Sequence, residues 1–282
     1  MVRGLFLFVI MFPCVVSAAV VTVVPASDIY QGDVFQVRVH DLPGEVTVQS
    51  INFDGNTMQA YRVGISLRAL RGLPLSAKTG TRPLVVTLSN GEKIVKEIQV
   101  MQKVKPVYDL PAIPAALGGN GAASQTTLVS TLASENKKLV DLFSQKKALW
   151  TLPFTPPVAN PFVTDIFGYS RQGSAVAITH KGTDYRAPVG TPVYAMNRGV
   201  VRMSRLFRNY GNTVVVDHGL GVMTFYMHLS RVRVAEGQLV QRGQLLGLSG
   251  DTGYVSAPHL HLTVRVNGAS IDPEGFLRLM GE

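Results

Sequence analysis

SAPHLHLTVRV, residues 256–266, sets two histidines, His259 and His261, one residue apart inside an apolar run. Side chains alternate faces along a strand, so an extended backbone points both imidazoles the same way. Two polar rings on one face of such a run need a partner, because burying them unpaired is costly. Water, a carboxylate or a metal ion could serve. The choice depends on what else in the chain converges on that face.

Five of the six histidines, His180, His218, His228, His259 and His261, fall in the last part of the chain. In HKGTDYRAPVGTPVYA (180–195), His180 and Asp184 are four residues apart, an even spacing that an extended backbone presents to one side. Gly182 between them lets another chain approach closely. His228 ends the apolar β-like run TFYMHL (224–229) and could approach the same place. Imidazole and carboxylate together suit zinc, and a catalytic zinc keeps three protein ligands and an open position for water. A closed structural site would need four ligands, usually with cysteine. Five candidate groups for three ligand positions leave two histidines for acid–base work. His218, in VVVDHGLG (214–221), sits at a hairpin turn and reads as structural, or at most as lining a groove.

The whole chain sets the bounds. Its 282 residues allow one to two domains, and 46% hydrophobic content is ample for a core. Residues 1–19 read as an export signal: Arg3, then the apolar GLFLFVIMF, then small residues in VVSAA suited to cleavage. That stretch is too short for a membrane anchor, and no later one approaches a spanning length, so no stable membrane span is expected after cleavage. Cys14, the only cysteine, lies inside it, and Pro13 before it is a poor fit to a lipoprotein site. The exported chain would then be without disulfides and without cysteine catalysis. A net charge of +9 implies anionic surroundings. Basic runs interleaved with aromatics are missing, so cell-wall polymer or membrane surface is favoured over nucleic acid.

The expected architecture is mostly β. Over residues 20–105 apolar Phe35, Val37 and Val39 alternate with Gln36, Arg38 and His40, and Asn90-Gly91 separates two β-rich runs as a hairpin turn does. A small β-sandwich is expected there, with no visible chemistry. Residues 106–160 read as a Pro-, Gly- and Ala-rich flexible linker, followed by a connecting helix over 125–149 ending at Lys146 and Lys147, and then prolines. From 161 to 275 β signals return with many glycine turns, and 276–282 reads as a C-terminal tail.

HKGTDYRAPVGTPVYA, TFYMHL and GDTGYVSAPHLHLTVRVNG (250–268) together resemble the lysostaphin/LytM-type zinc metallopeptidases, which cleave peptide bonds in bacterial peptidoglycan. FGYSR (167–171) also resembles the family's lead-in. The resemblance covers about residues 160–275. It implies an antiparallel β metallopeptidase domain with a groove, one zinc per chain, and export to the periplasm or cell envelope. By it His180, Asp184 and His261 bind the metal, while His228 and His259 are the unliganded catalytic pair. One of the pair would take a proton and pass it to the leaving amine, and the other would hydrogen-bond the oxyanion. The sequence departs from the family in two respects. A tyrosine that some members place shortly before the first metal histidine is not evident in RQGSAVAIT (171–179), and the repeated wall-binding modules are missing.

A rival reading is a non-catalytic wall-binding or activator module of other murein hydrolases, which the full set of ligands and catalytic histidines weakens. A cupin-like site wants a glutamate just past the second histidine, and LTVRVNG offers none. A three-histidine site using His228 leaves His180 and Asp184 unexplained. The N-terminal half is expected to dock the enzyme on wall or partner. The alternative is that it covers the groove, with Asn120 in GGNGA (118–122) as a possible inhibitory ligand to the metal.

Overall fold

The computed structural model describes residues 19–140 and 142–281. Of the export segment read over 1–19, all but Ala19 lies outside the described residues, as does Cys14. Among the described residues no helix is long and apolar enough to cross a membrane.

The N-terminal part opens with β1 (Val20–Val24), β2 (Ile29–Tyr30), β3 (Val34–His40), β4 (Val48–Phe53) and β5 (Asn56–Thr57). It continues with β6 (Ala60–Val63), β7 (Ser66–Gly72), β8 (Gly80–Leu88) and β9 (Lys93–Met101). These build two sheets, β1-β3-β7-β6 and β2-β9-β8-β4-β5, closed over one apolar core. As the alternation predicts, Phe35, Val37 and Val39 point into that core and are fully buried. Asn90-Gly91 turns β8 into β9, with Gly91 at φ +86° and the Glu92 N–H bound to the Asn90 side chain. His40, expected on the solvated face, pairs with Asp41 at 2.7 Å. Gln36, however, is only 1% exposed, because the outer face of β3 is covered in turn.

What covers it is the rest of the chain. Val34, Tyr61 and Leu70 share a core with Trp150, Phe154, Val266, Ile271, Phe276 and Met280. Gln36 donates to the Tyr61 hydroxyl, 2.6 Å away. A Cβ on Gly72 would lie 2.8 Å from the carbonyl of Val266. The N-terminal sandwich is therefore packed against the C-terminal part rather than tethered to it.

The connecting segment is likewise held. β10 (Val107–Asp109) runs parallel to a strand of the C-terminal part, and α1 (Ala122–Val140) follows. The helix stops nine residues before the expected 149, because tertiary hydrogen bonds win over periodicity. Buried Asp217 accepts from Ser144 Oγ at 2.7 Å and from the Gln145 N–H at 3.0 Å, and Leu149 N–H bonds the His218 carbonyl. The helix end is served by Lys137 and Lys138, and Phe143 is left exposed.

The C-terminal part begins with β11 (Val163–Asp165), β12 (Ser170–Gln172), β13 (Ala177–Thr179), β14 (Thr183–Arg186) and β15 (Pro192–Tyr194). The long strands are β16 (Gly199–Phe207), β17 (Gly211–Gly219) and β18 (Val222–Val232), with β19 (Leu239–Val240) and β20 (Leu245–Ser249) beside them. β21 (His259–Val266), β22 (Ala269–Ile271) and α2 (Pro273–Met280) complete it. The main sheet runs β11-β14-β21-β18-β17-β16-β19 and is antiparallel throughout. Its central strands are nearly continuous apolar runs because both faces are covered. One face joins the core shared with the N-terminal sandwich; on the other, Leu139 of α1 packs on Met203, Phe207, Met223, Phe225 and Met227. The trailing segment beyond 275 is the body of α2. Asp272 caps that helix, and its Phe276 and Met280 are fully buried.

Phe276 lies edge-on to Phe154, which neighbours Trp150, the only tryptophan. Phe276→Ala should lower unfolding stability by about 3–5 kcal/mol, the usual cost of removing a buried aromatic. Denaturant titration followed by Trp150 fluorescence checks this, and a loss under about 1 kcal/mol would deny the shared core its importance.

Candidate metal centre

β14 and β21 lie side by side with Asp184 directly opposite His261, so both side chains leave the sheet on the same face. His180 reaches them from the turn before β14, which passes close over β21. A Cβ at Gly182 would collide with the His261 ring and the Leu262 carbonyl. One ligand atom from each of His180, Asp184 and His261 lies within 4.8 Å of the others. Asp184 Oδ1 is 2.7 Å from His261 Nδ1 and 3.1 Å from His180 Nε2, and those two nitrogens are 3.1 Å apart.

The outer contacts fix what these atoms present. His180 Nδ1 bonds the Ile166 carbonyl at 2.8 Å, which accepts only, so Nδ1 carries the proton and Nε2 is a lone pair. Thr263 Oγ1 donates to the Lys181 carbonyl and so accepts from His261 Nε2–H at 3.0 Å, leaving His261 Nδ1 as a lone pair. Arg171 holds Asp184 Oδ2 at 3.3 Å and also binds Asp165 and the Tyr169 hydroxyl. Three acceptors thus converge with no proton between them, in a pocket where all three residues are buried. A cation satisfies that arrangement, and the donor set, two imidazoles and a carboxylate, suits a divalent transition metal.

His228 and His259 stand beside the cluster. Their rings are 4.9 Å apart, and His228 is 6.0 Å from the His261 ring. Simple alternation along β18 would send His228 to the opposite face with Tyr226. Instead its φ is +61° and the register with its neighbours shifts there, which turns the imidazole toward β21. His228 Nδ1 bonds the Thr252 carbonyl and His259 Nδ1 the Ala257 carbonyl, each at 2.8 Å, leaving Nε2 of each as a lone pair. Burial pushes the His228 imidazolium down to about 3 and that of His261 to about 4, so both rings are neutral at physiological pH.

The other two candidates lie elsewhere. His218 is fully buried on the far side of the sheet, edge-on to Phe154 and bonded to the Arg198 carbonyl and Thr224, so it lines no groove. Asn120 has no contact with His180, Asp184 or His261: its Oδ1 accepts the Ile113 N–H at 2.6 Å and closes a turn of its own segment.

Several contributors are not evident from the motifs alone. A cleft of about 410 Å³ beside the cluster has β21 on one side and α1 on the other, with Val129, Leu132 and Asn136 facing into it. Tyrosines do border the site. The Tyr169 ring packs 4.9 Å from that of His180, and Tyr254 lines the cleft while donating to the Pro111 carbonyl at 2.6 Å. Tyr169 and Arg171 lie within FGYSR, where their spacing alone gives no role; Thr263 was visible only as the next same-face residue after His261.

Comparison with known proteins agrees with this geometry. Peptidase family M23 matches residues 178–273, which contain all five residues of the cluster. Peptidoglycan DD-endopeptidase ShyA of Vibrio cholerae is 50% identical over 93 residues, 33% of this chain and 22% of the relative. DD-carboxypeptidase/endopeptidase Mpg of Neisseria meningitidis is 45% identical over 94 residues, again 33% of this chain and 22% of the relative. The chain thus spans about a fifth of the length of these curated relatives. A crystal structure assigned to peptidase M23 from Pseudomonas aeruginosa aligns at 27% identity and a TM-score of 0.62, covering 88% of this chain and 94% of that one. By its sequence match and its fold, the C-terminal region of this chain is a peptidase M23 domain.

Proposed function

We propose that the protein is a zinc-dependent endopeptidase that hydrolyses peptide bonds in peptidoglycan stem or cross-bridge peptides. The observation that carries this reading is the convergence of the His180 Nε2, His261 Nδ1 and Asp184 Oδ1 lone pairs beside two further histidines with free Nε2 atoms. Those three atoms are the proposed ligands of one zinc per chain, and three ligands leave a position open, as catalytic zinc requires. When bound, zinc supplies a water made acidic enough to ionise near neutral pH and polarises the carbonyl to be attacked.

The chain's own residues do the rest. Ile166 and Thr263 hold the two imidazoles in the ligating tautomer, and Arg171 holds the outer oxygen of Asp184. His228 and His259, each fixed through Nδ1, form the proton-handling pair at Nε2. One accepts a proton from the attacking water and delivers it to the leaving amine. The other takes up a second proton from solvent at Nε2 and with it hydrogen-bonds the oxygen on which negative charge develops. Two relatives named as DD-endopeptidase and DD-carboxypeptidase/endopeptidase support the substrate class. The net charge of +9 suits an anionic wall, and the place of action is the cell envelope, reached by export.

Protein purified without added metal should carry about one zinc per chain by elemental analysis. His261→Ala combined with Asp184→Ala should remove it, and unchanged zinc in that variant refutes the ligand assignment. His228→Ala and His259→Ala should keep their zinc and lose about a hundredfold or more in rate on purified peptidoglycan. If either loses metal as readily as His180→Ala, ligands and catalysts have been confused. Arg171→Ala should weaken zinc affinity by about 10–100-fold in chelator competition, as removal of an outer-shell partner does. An unaltered affinity would leave Arg171 merely packing against Tyr169.

A further inference from the structure

The polar face of β21 continues past the metal centre. His259, His261, Thr263 and Arg265 alternate with fully buried Leu260, Leu262, Val264 and Val266, and all four polar residues line the same cleft. The first three serve the reaction centre. Arg265 lies four residues along, which sets its Cα about 13 Å from that of His261.

Arg265 is only 9% exposed, yet among the described residues no carboxylate lies within ion-pair distance of it. Its partners are neutral. Nη1 donates to the Leu139 carbonyl at 2.9 Å, Nε to Ser270 Oγ at 3.4 Å, and the guanidinium lies 4.6 Å from the centre of the Phe225 ring. The carbonyl contact caps the end of α1, but that uses one edge of a group with five donors. A desolvated cation without a counter-charge is costly to keep, and here it faces a cleft walled by Val129, Leu132 and Met227. In such a wall an Arg–carboxylate contact is strong and directional.

We propose that Arg265 anchors a free carboxylate of the bound peptide, so that the cleft selects substrates carrying such a group a few residues away from the bond cleaved. An extended peptide lying alongside β21 spans the roughly 13 Å between the backbone positions of His261 and Arg265 in about four residues. Stem peptides cross-linked through side chains, which retain free carboxylates along their length, are the chemical class that fits. The inference rests on the peptidase reading above, but it predicts binding as well as turnover.

The test compares a synthetic cross-linked stem-peptide dimer bearing its free carboxylates with the same peptide made as carboxamides. The zinc-loaded full chain should cleave the acid form with kcat/KM about tenfold or more above the amide form, chiefly through KM. Arg265→Gln should bring that ratio close to one, and Arg265→Lys should restore part of it. A wild-type ratio near one overturns the anchor regardless of how the variants fold, as does an Arg265→Gln protein that keeps the wild-type ratio. Calorimetric binding of both peptides to His259→Ala separates the two claims. Preferential binding of the acid form with no cleavage by the wild type upholds the anchor and sinks the peptidase reading. Cleavage without preference in either assay does the reverse.

Discussion

Three lone pairs pointed at one another in a buried site are a repulsive arrangement, and the C-terminal part is built to hold them there. Asp184 and His261 are cross-strand neighbours on one face of the sheet, so their separation is set by the backbone ladder rather than by side-chain choice. His180 is added by a turn that approaches β21 so closely that only glycine fits at position 182. Each donor is then locked from behind, by a carbonyl, a threonine hydroxyl or an arginine. Every one of these contacts fixes a tautomer or an angle. None of them relieves the convergence itself, which is what a bound cation does.

Holding such a site requires a stiff sheet, and the rest of the chain supplies the stiffness by covering both faces. The N-terminal sandwich and α2 close one side through the core shared by Tyr61, Leu70, Trp150 and Phe276. Over part of the other face, α1 lies on Phe207, Phe225 and Met227, leaving the histidine end open. Buried Asp217 ties the chain leaving α1 to the sheet with two hydrogen bonds and is itself held by Arg202. A sequence segment composed like a flexible linker is in this way converted into a wall of the cleft.

Period-two patterns in the sequence translated directly into structure. His259 and His261 share a face, Phe35, Val37 and Val39 share another, and Asn90-Gly91 turns a hairpin, because each depends only on local alternation or local turn chemistry. What depended on distant partners was hidden. The end of α1 is decided by Asp217, some eighty residues later in the chain, and the burial of Gln36 is decided by α2 at the far end of the chain. His228 is the instructive case. Its membership of the cluster could be suspected from its type, but strand periodicity gives it the wrong face, and only the left-handed backbone at that residue corrects it. The parts played by Arg171 and Thr263 were hidden for a different reason: they contact Asp184 and His261 from behind, and their residue types are common on any strand.

The division of labour between the two halves follows from which surfaces each one covers. Residues 178–273 match the family and hold all the proposed reaction chemistry, yet the cleft beside that chemistry takes Val129, Leu132 and Asn136 from outside the match. A chain cut near Trp150 would lose α1 and bare Met203, Phe207, Phe225 and Met227. A change in its activity could then arise from a collapsed or aggregated cleft as easily as from an uncovered one. Walling the cleft and covering the sheet are for this reason not separable in α1. The same helix that narrows access to the histidines also keeps the strand bearing them buried, and it does so partly through the carbonyl that Arg265 holds. A carboxylate held by Arg265 as proposed would therefore meet a residue already joined to α1 through the Leu139 carbonyl.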